Sequence, residues 1–94
     1  MLKTHIGEFV YVRAGRDKGK CFIILSCDDT FMYICDGKRR KVEKPKMKSI
    51  KHLSFTGEFD ELVSKKLSGN DEPTNNEVKR EISKFLGNKK ICEI

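Results

Sequence analysis

The stretch Gly7-Glu8-Phe9-Val10-Tyr11-Val12-Arg13-Ala14-Gly15-Arg16-Asp17-Lys18-Gly19-Lys20-Cys21-Phe22-Ile23-Ile24-Leu25-Ser26-Cys27 reads as strand, basic turn, strand. Phe9 to Val12 and Phe22 to Leu25 are aromatic and β-branched runs of strand length. Between them, Arg13, Arg16, Lys18 and Lys20 stand against one acid, Asp17. Gly15 and Gly19 permit positive φ and a close approach of backbone to a ligand. A basic turn braced by two strands is suited to binding phosphate.

The first strand, about Glu8–Arg13, places Val10, Val12 and Ala14 on one face and Phe9, Tyr11 and Arg13 on the other. The valine face is expected to be the core. The second strand, about Lys20–Cys27, is apolar on both sides, with Cys21, Ile23, Leu25 and Cys27 opposite Phe22 and Ile24. That pattern predicts cover twice over, by a barrel interior and by something packed outside. Asp28-Asp29-Thr30 predicts a turn through Asx hydrogen bonds, Phe31–Cys35 a third strand, and Asp36-Gly37 a hairpin turn.

The most charged segment follows, Lys38-Arg39-Arg40-Lys41-Val42-Glu43-Lys44-Pro45-Lys46-Met47-Lys48, with seven cations and one acid. Its net +6 equals that of the whole chain. Pro45 argues against a regular central strand or helix here. Ile50–Phe55 is expected to be the closing strand, with Ile50 and Leu53 inward and His52 beside Lys51. Residues 1–54 carry net +7 and residues 55–94 net −1, so the basic character belongs to the β part.

In Gly57–Leu67, the residues Phe59, Leu62, Val63 and Leu67 recur at helical spacing. Ser68–Pro73 breaks that helix. Thr74-Asn75-Asn76-Glu77 has capping-box spacing, and Val78, Ile82, Phe85 and Leu86 form one stripe expected to pack on the barrel. Gly87 is expected to stop the second helix, leaving Asn88–Ile94 as a frayed tail. The expected architecture is mainly β with C-terminal helices: a small SH3-like β-barrel over 1–55 and a helical extension over 56–94, together one compact domain.

A chain of 94 residues, 37% hydrophobic and without Trp, suits one small domain with a limited core rather than a large enzyme cleft. Twenty Lys and Arg against fourteen Asp and Glu favour an anionic partner. No apolar run has spanning length and the start is polar, so a soluble, cytoplasmic protein without membrane contact is expected. Cys21, Cys27, Cys35 and Cys92 form no C-x-x-C pair, and the first three, inside apolar strand patterns, are read as reduced structural thiols. No paired carboxylates, nucleophile with base, or metal cluster stands out, so no catalytic residue, metal or cofactor is expected.

Gly7, Val10, Val12, Gly15 and Lys18-Gly19-Lys20 resemble the KOW motif of RNA-binding ribosomal and transcription-associated proteins, which forms part of an SH3-like barrel. Many KOW motifs carry glycine where Phe22 stands here. With Asp29–Gly37, Lys38–Val42 and Ile50–Leu53 added, the chain resembles the archaeal and eukaryotic e-type family of ribosomal protein L fourteen. Its Lys44–Lys48 insertion and compactness resemble short bacterial KOW-domain RNA-binding proteins of that family. The resemblance covers residues 5–55 well and the tail weakly, through Asn76-Glu77-Val78-Lys79. It implies an RNA-binding protein docking on large-subunit ribosomal RNA, with neighbouring ribosomal proteins as further partners and a monomer off the ribosome.

The residues expected to lie along phosphates are Arg13, Arg16, Lys18, Lys20, Lys38, Arg39, Arg40, Lys41, Lys44, Lys46, Lys48 and Lys51. Gly15, Gly19 and Gly37 are the structural turns. Arg can grip phosphate with two prongs, whereas Lys acts as a point charge. Competing readings are an SH3-like protein-interaction module using an exposed Phe9/Tyr11 face, a transcription or translation accessory factor, and a DNA binder.

Overall fold

The second strand is the middle of the molecule, and both of its faces are sealed. The structure, a computed structural model, describes the backbone of residues 5–92 and the side chains through Gly87. In chain order it contains β1 (Glu8–Val12), β2 (Cys21–Cys27), β3 (Phe31–Cys35), β4 (Lys46–Ser49), a 3-10 turn (Ile50–His52), β5 (Leu53–Phe59), α1 (Glu61–Ser68) and α2 (Asn75–Cys92). The strands form one antiparallel sheet in the order β4-β3-β2-β1-β5. The expected class, mainly β with C-terminal helices, is the one adopted.

The two edge strands are consecutive in sequence, and this forces the sheet to curl. Laid flat, β4 and β5 would lie roughly 19 Å apart at the usual strand spacing. Only Ile50–His52 joins them. The Ile50 N–H donates to the Thr30 carbonyl (3.2 Å) at the start of β3, and the Arg13 N–H donates to the His52 carbonyl (2.8 Å) past the end of β1. The 3-10 turn thus spans the mouth of a barrel-like sheet.

Inside the curl lie Val10, Val12, Phe22, Ile24, Met32, Ile34 and Leu53. Outside it, beneath the helices, Phe9, Cys21, Ile23, Leu25 and Cys35 pack with Val42, Val63, Val78, Ile82 and Phe85. The double cover expected of β2 is therefore present, and β1 shares it. The Phe9 ring stacks on Phe85, with centroids 4.1 Å apart and planes 7° from parallel. The expected core face of β1 is correct, but its other face is just as buried at Phe9. Cys35 is buried in this second core, which pushes its thiol up to about 12.

Several local expectations hold at the level of single hydrogen bonds. Asp28 Oδ1 accepts from the Thr30 and Phe31 N–H groups at 3.0 and 2.8 Å, which lowers the Asp28 pKa. The capping box is complete: the Glu77 N–H donates to Thr74 Oγ1 (3.1 Å), and the Thr74 N–H donates to Glu77 Oε1 (2.9 Å). Lys66 Nζ then donates to both Glu77 oxygens at 2.9 and 3.0 Å, tying α1 to the start of α2.

Other boundaries move. Asp36-Gly37 does not close a tight hairpin but opens a loop running to Pro45, and β4 begins directly after that proline. An edge strand tolerates a proline at its entry because no inner ladder needs the missing N–H. The closing strand starts at Leu53 and runs to Phe59, past the expected barrel end at residue 55. Phe59 is therefore a strand residue, 48% exposed, and not part of the apolar face of α1. Asp60 caps α1 by accepting from the Val63 N–H at 2.9 Å. Gly87 does not stop α2, whose backbone stays helical to Cys92; Glu93 and Ile94, the end of the expected tail, lie outside the described residues.

Two carboxyls meet between the helices. Burial pushes Asp60 up to about 6, with the hydrogen bond to Glu81 and its charge adding to the rise. Against its own burial, the hydrogen bond from Asp60 and the Arg80 and Lys84 charges hold Glu81 below its usual range. The folded protein therefore keeps a proton on Asp60 that the unfolded chain releases nearer pH 4. Asp60's contribution is favourable at low pH and is lost as pH rises through about 6. Asp60→Asn keeps the cap and does not titrate. It should raise Tm at pH 7.5 by roughly 2–5 °C, on the order of 0.5–1 kcal/mol after solvent screening. The gain should shrink as pH falls through about 6 and vanish only near pH 4, where the unfolded carboxyl is protonated as well; a gain independent of pH would reject the shared-proton reading.

Candidate functional site

The β1–β2 turn (residues 13–20) and the β3–β4 loop (36–45) project from the same end of the sheet, because the end of β1, the start of β2 and the end of β3 are neighbours. Within the turn, Gly15 (φ +92°) and Gly19 (φ +85°) take backbone that L residues rarely adopt. The Lys18 N–H donates to Gly15 O, the Lys20 N–H to Asp17 O, and the Gly19 N–H to Val12 O. These bonds fold the turn back on itself and drive Asp17 inward, where it is 5% exposed.

The buried Asp17 accepts from Arg40 Nη2 at 3.2 Å and Nε at 3.4 Å, which clips the loop to the turn. Lys48 Nζ, reaching from β4, donates to the Ala14 carbonyl at 3.2 Å. The loop is also organised from within. Asp36 Oδ1 accepts from the N–H groups of Lys38, Arg39 and Arg40 at 2.9, 3.1 and 2.9 Å. From behind, Asn75 of α2 accepts from the Val42 N–H at 2.7 Å and donates to Glu43 at 2.8 Å. That amide bond lowers the Glu43 pKa. Val42 is buried in the helix-side core, so the loop is anchored by an apolar side chain as well.

The twelve predicted cations divide into three groups. Arg13, Arg16, Lys18, Lys20, Lys38, Arg39, Lys41, Lys44 and Lys51 are exposed, and none forms an ion pair with a described residue. Arg40 and Lys48 are half-buried and spend their charge on Asp17 and Ala14, so they brace the surface rather than populate it. Lys46 is half-buried in a shallow groove with Arg39, Lys44 and the exposed Met47. Gly15 and Gly19 occupy the turn as expected, and Gly37 (φ +80°) lies against α2. Lys51 lies within the 3-10 turn, which the Arg13 N–H to His52 carbonyl bond holds beside the end of β1.

Sequence reasoning missed the residues that hold this surface in place. Asp17 looked like a lone acid in a basic turn; its burial depends on an arginine 23 positions away. In the sequence, Asn75 stands out only as part of a capping box. Lys79, which joins the basic surface from α2, gave no signal apart from its position one turn after Asn75. Among the described residues, no group of three or more His, Cys, Asp or Glu side chains could hold a metal, and no helix is long and apolar enough to cross a membrane.

No protein-family model matches the chain, and no curated protein matches it significantly.

Proposed function

We propose that this protein binds RNA through the basic end of its barrel, and that it docks on large-subunit ribosomal RNA as a ribosomal or ribosome-associated protein. One observation carries the reading: eight exposed cations, without carboxylate partners among the described residues, stand on a turn and a loop fixed to each other by the buried Asp17–Arg40 pair. A fixed array of Lys and Arg suits a polyanion whose charges are spaced at regular intervals. Such contacts set position, while RNA shape and unpaired bases supply specificity. Phe9 is covered by Phe85, so the aromatic face that a peptide-binding reading requires is reduced to the half-buried Tyr11.

The braced geometry determines which variant is informative. Arg40→Ala would undo the Asp17 clip and confound charge with structure. The triple variant Arg39→Ala, Lys41→Ala, Lys44→Ala removes three exposed charges and leaves the clip intact. Its affinity for structured RNA should fall about tenfold or more at low salt, and the slope of log K against log salt should flatten by roughly 2–3. An unchanged slope would exclude the loop as the contact surface. Sedimentation of the tagged protein with ribosomal subunits distinguishes a stoichiometric constituent from an accessory factor that salt removes.

A further inference from the structure

A groove of about 370 Å³ lies where the β1–β2 turn and the start of the β3–β4 loop face α2. Its lining is divided chemically. Tyr11, Ile82 and Leu86 supply apolar surface, with Tyr11 half-buried and Leu86 39% exposed. Lys20, Lys38 and Arg39 from the barrel, and Lys79 from α2, supply exposed positive charge. Asp36 is the one carboxylate in the lining, and its Oδ1 already accepts three backbone N–H groups. The groove therefore joins an aromatic and aliphatic surface to a surplus of cations.

That combination fits a ligand with a planar apolar face and phosphates on either side. A duplex keeps its bases stacked and paired, and offers no free ring to a groove; a single strand or loop does. An acidic peptide would match the cations but would leave the apolar surface unused. The volume lies within the range of small-ligand sites. We propose that the groove takes one unpaired nucleotide of an RNA strand, its base against Tyr11 and Leu86 and its flanking phosphates on Lys20, Lys38, Arg39 and Lys79. This inference rests on the RNA-binding reading above and names the part of the RNA that α2 helps to recognise.

The test uses three fluorescently labelled probes of equal phosphate number: an eight-nucleotide single strand, an abasic strand and a blunt duplex. The wild-type protein should bind the base-bearing strand roughly 5–100-fold more tightly than the abasic one, the range expected for one stacked base. Tyr11→Leu, which keeps the apolar contact and removes the ring, should abolish most of that preference and leave abasic and duplex binding unchanged. If Tyr11→Leu fails to fold, methyl NMR of the wild-type protein carries the test. The Ile82 and Leu86 methyl signals should shift with the base-bearing strand and stay in place with the abasic one. Equal affinity for both strands, with methyls unmoved, would overturn the groove while leaving the RNA reading intact. Binding to none of the three probes would overturn both. Methyl shifts with an acidic peptide but not with RNA would replace the nucleotide by a protein segment.

Discussion

Phe85→Ala should destabilise the protein by roughly 3–5 kcal/mol, the range for removing a buried aromatic ring from a packed core. Phe85 is 7% exposed and stacked on Phe9, so the deletion opens a cavity directly above the middle of the sheet. For a domain whose whole stability is of order 5–15 kcal/mol, that loss leaves little margin. Urea denaturation followed by circular dichroism measures it as a lower midpoint at nearly unchanged m value. A loss under about 1 kcal/mol would mean that the helix–barrel contact is loose and the barrel stands without it. The packing argues otherwise. Phe9, Ile23 and Leu25 would face water without α2, so a fragment ending near residue 55 would cut β5 short and expose the outer core as well.

The second large effect is expected at Gly37, where conformation and space act together. Its φ is +80°, and a Cβ there would lie 2.3 Å from the Asn75 carbonyl oxygen and 3.1 Å from the Lys79 nitrogen. Both atoms belong to the α2 backbone and cannot rotate away. Gly37→Ala therefore combines left-handed strain with overpacking, a loss of roughly 2–4 kcal/mol. Gly19→Ala is the control, because its φ is +85° with nothing within 4 Å of the added carbon. It should cost only the strain, about 1–2 kcal/mol. Thermal melts of the pair separate the terms; equal losses would show that the close approach of loop and helix carries no energy. Hydrogen exchange should accelerate in Gly37→Ala at Val42, whose N–H is held by Asn75.

The parts of this fold legible in the sequence are those written in short-range chemistry. The three-strand meander follows from period-two patterning and the Asp28 turn, and the start of α2 follows from Thr74 and Glu77. Nine of the twelve expected surface cations are exposed, and nothing local pairs them. The errors share a different cause. Phe59 has helical spacing with Leu62 and Val63, yet the ladder to β1 keeps it in a strand. Pro45 does bar a central strand; what the sequence hides is that Lys46–Ser49, directly after it, forms an edge strand. Whether Phe9 or Val10 faces the core has no single answer in a sheet covered on both sides. Arg40 cannot be told from Arg39 without knowing that Asp17 is buried beside it.

The pairing pattern also implies an order of assembly. Consecutive strands from β1 to β4 pair in sequence, and Tyr11 and Cys21 meet across only ten positions. The β1–β5 ladder is different: Val12 and Leu53 are 41 residues apart. Closing that span costs chain entropy that contacts already made by the meander shorten, so zipping the seam is cheapest once the hairpins exist. Until β5 arrives, β1 is an open edge carrying Phe9 and Val10, and this is the interval in which a nascent chain is most exposed to wrong partners.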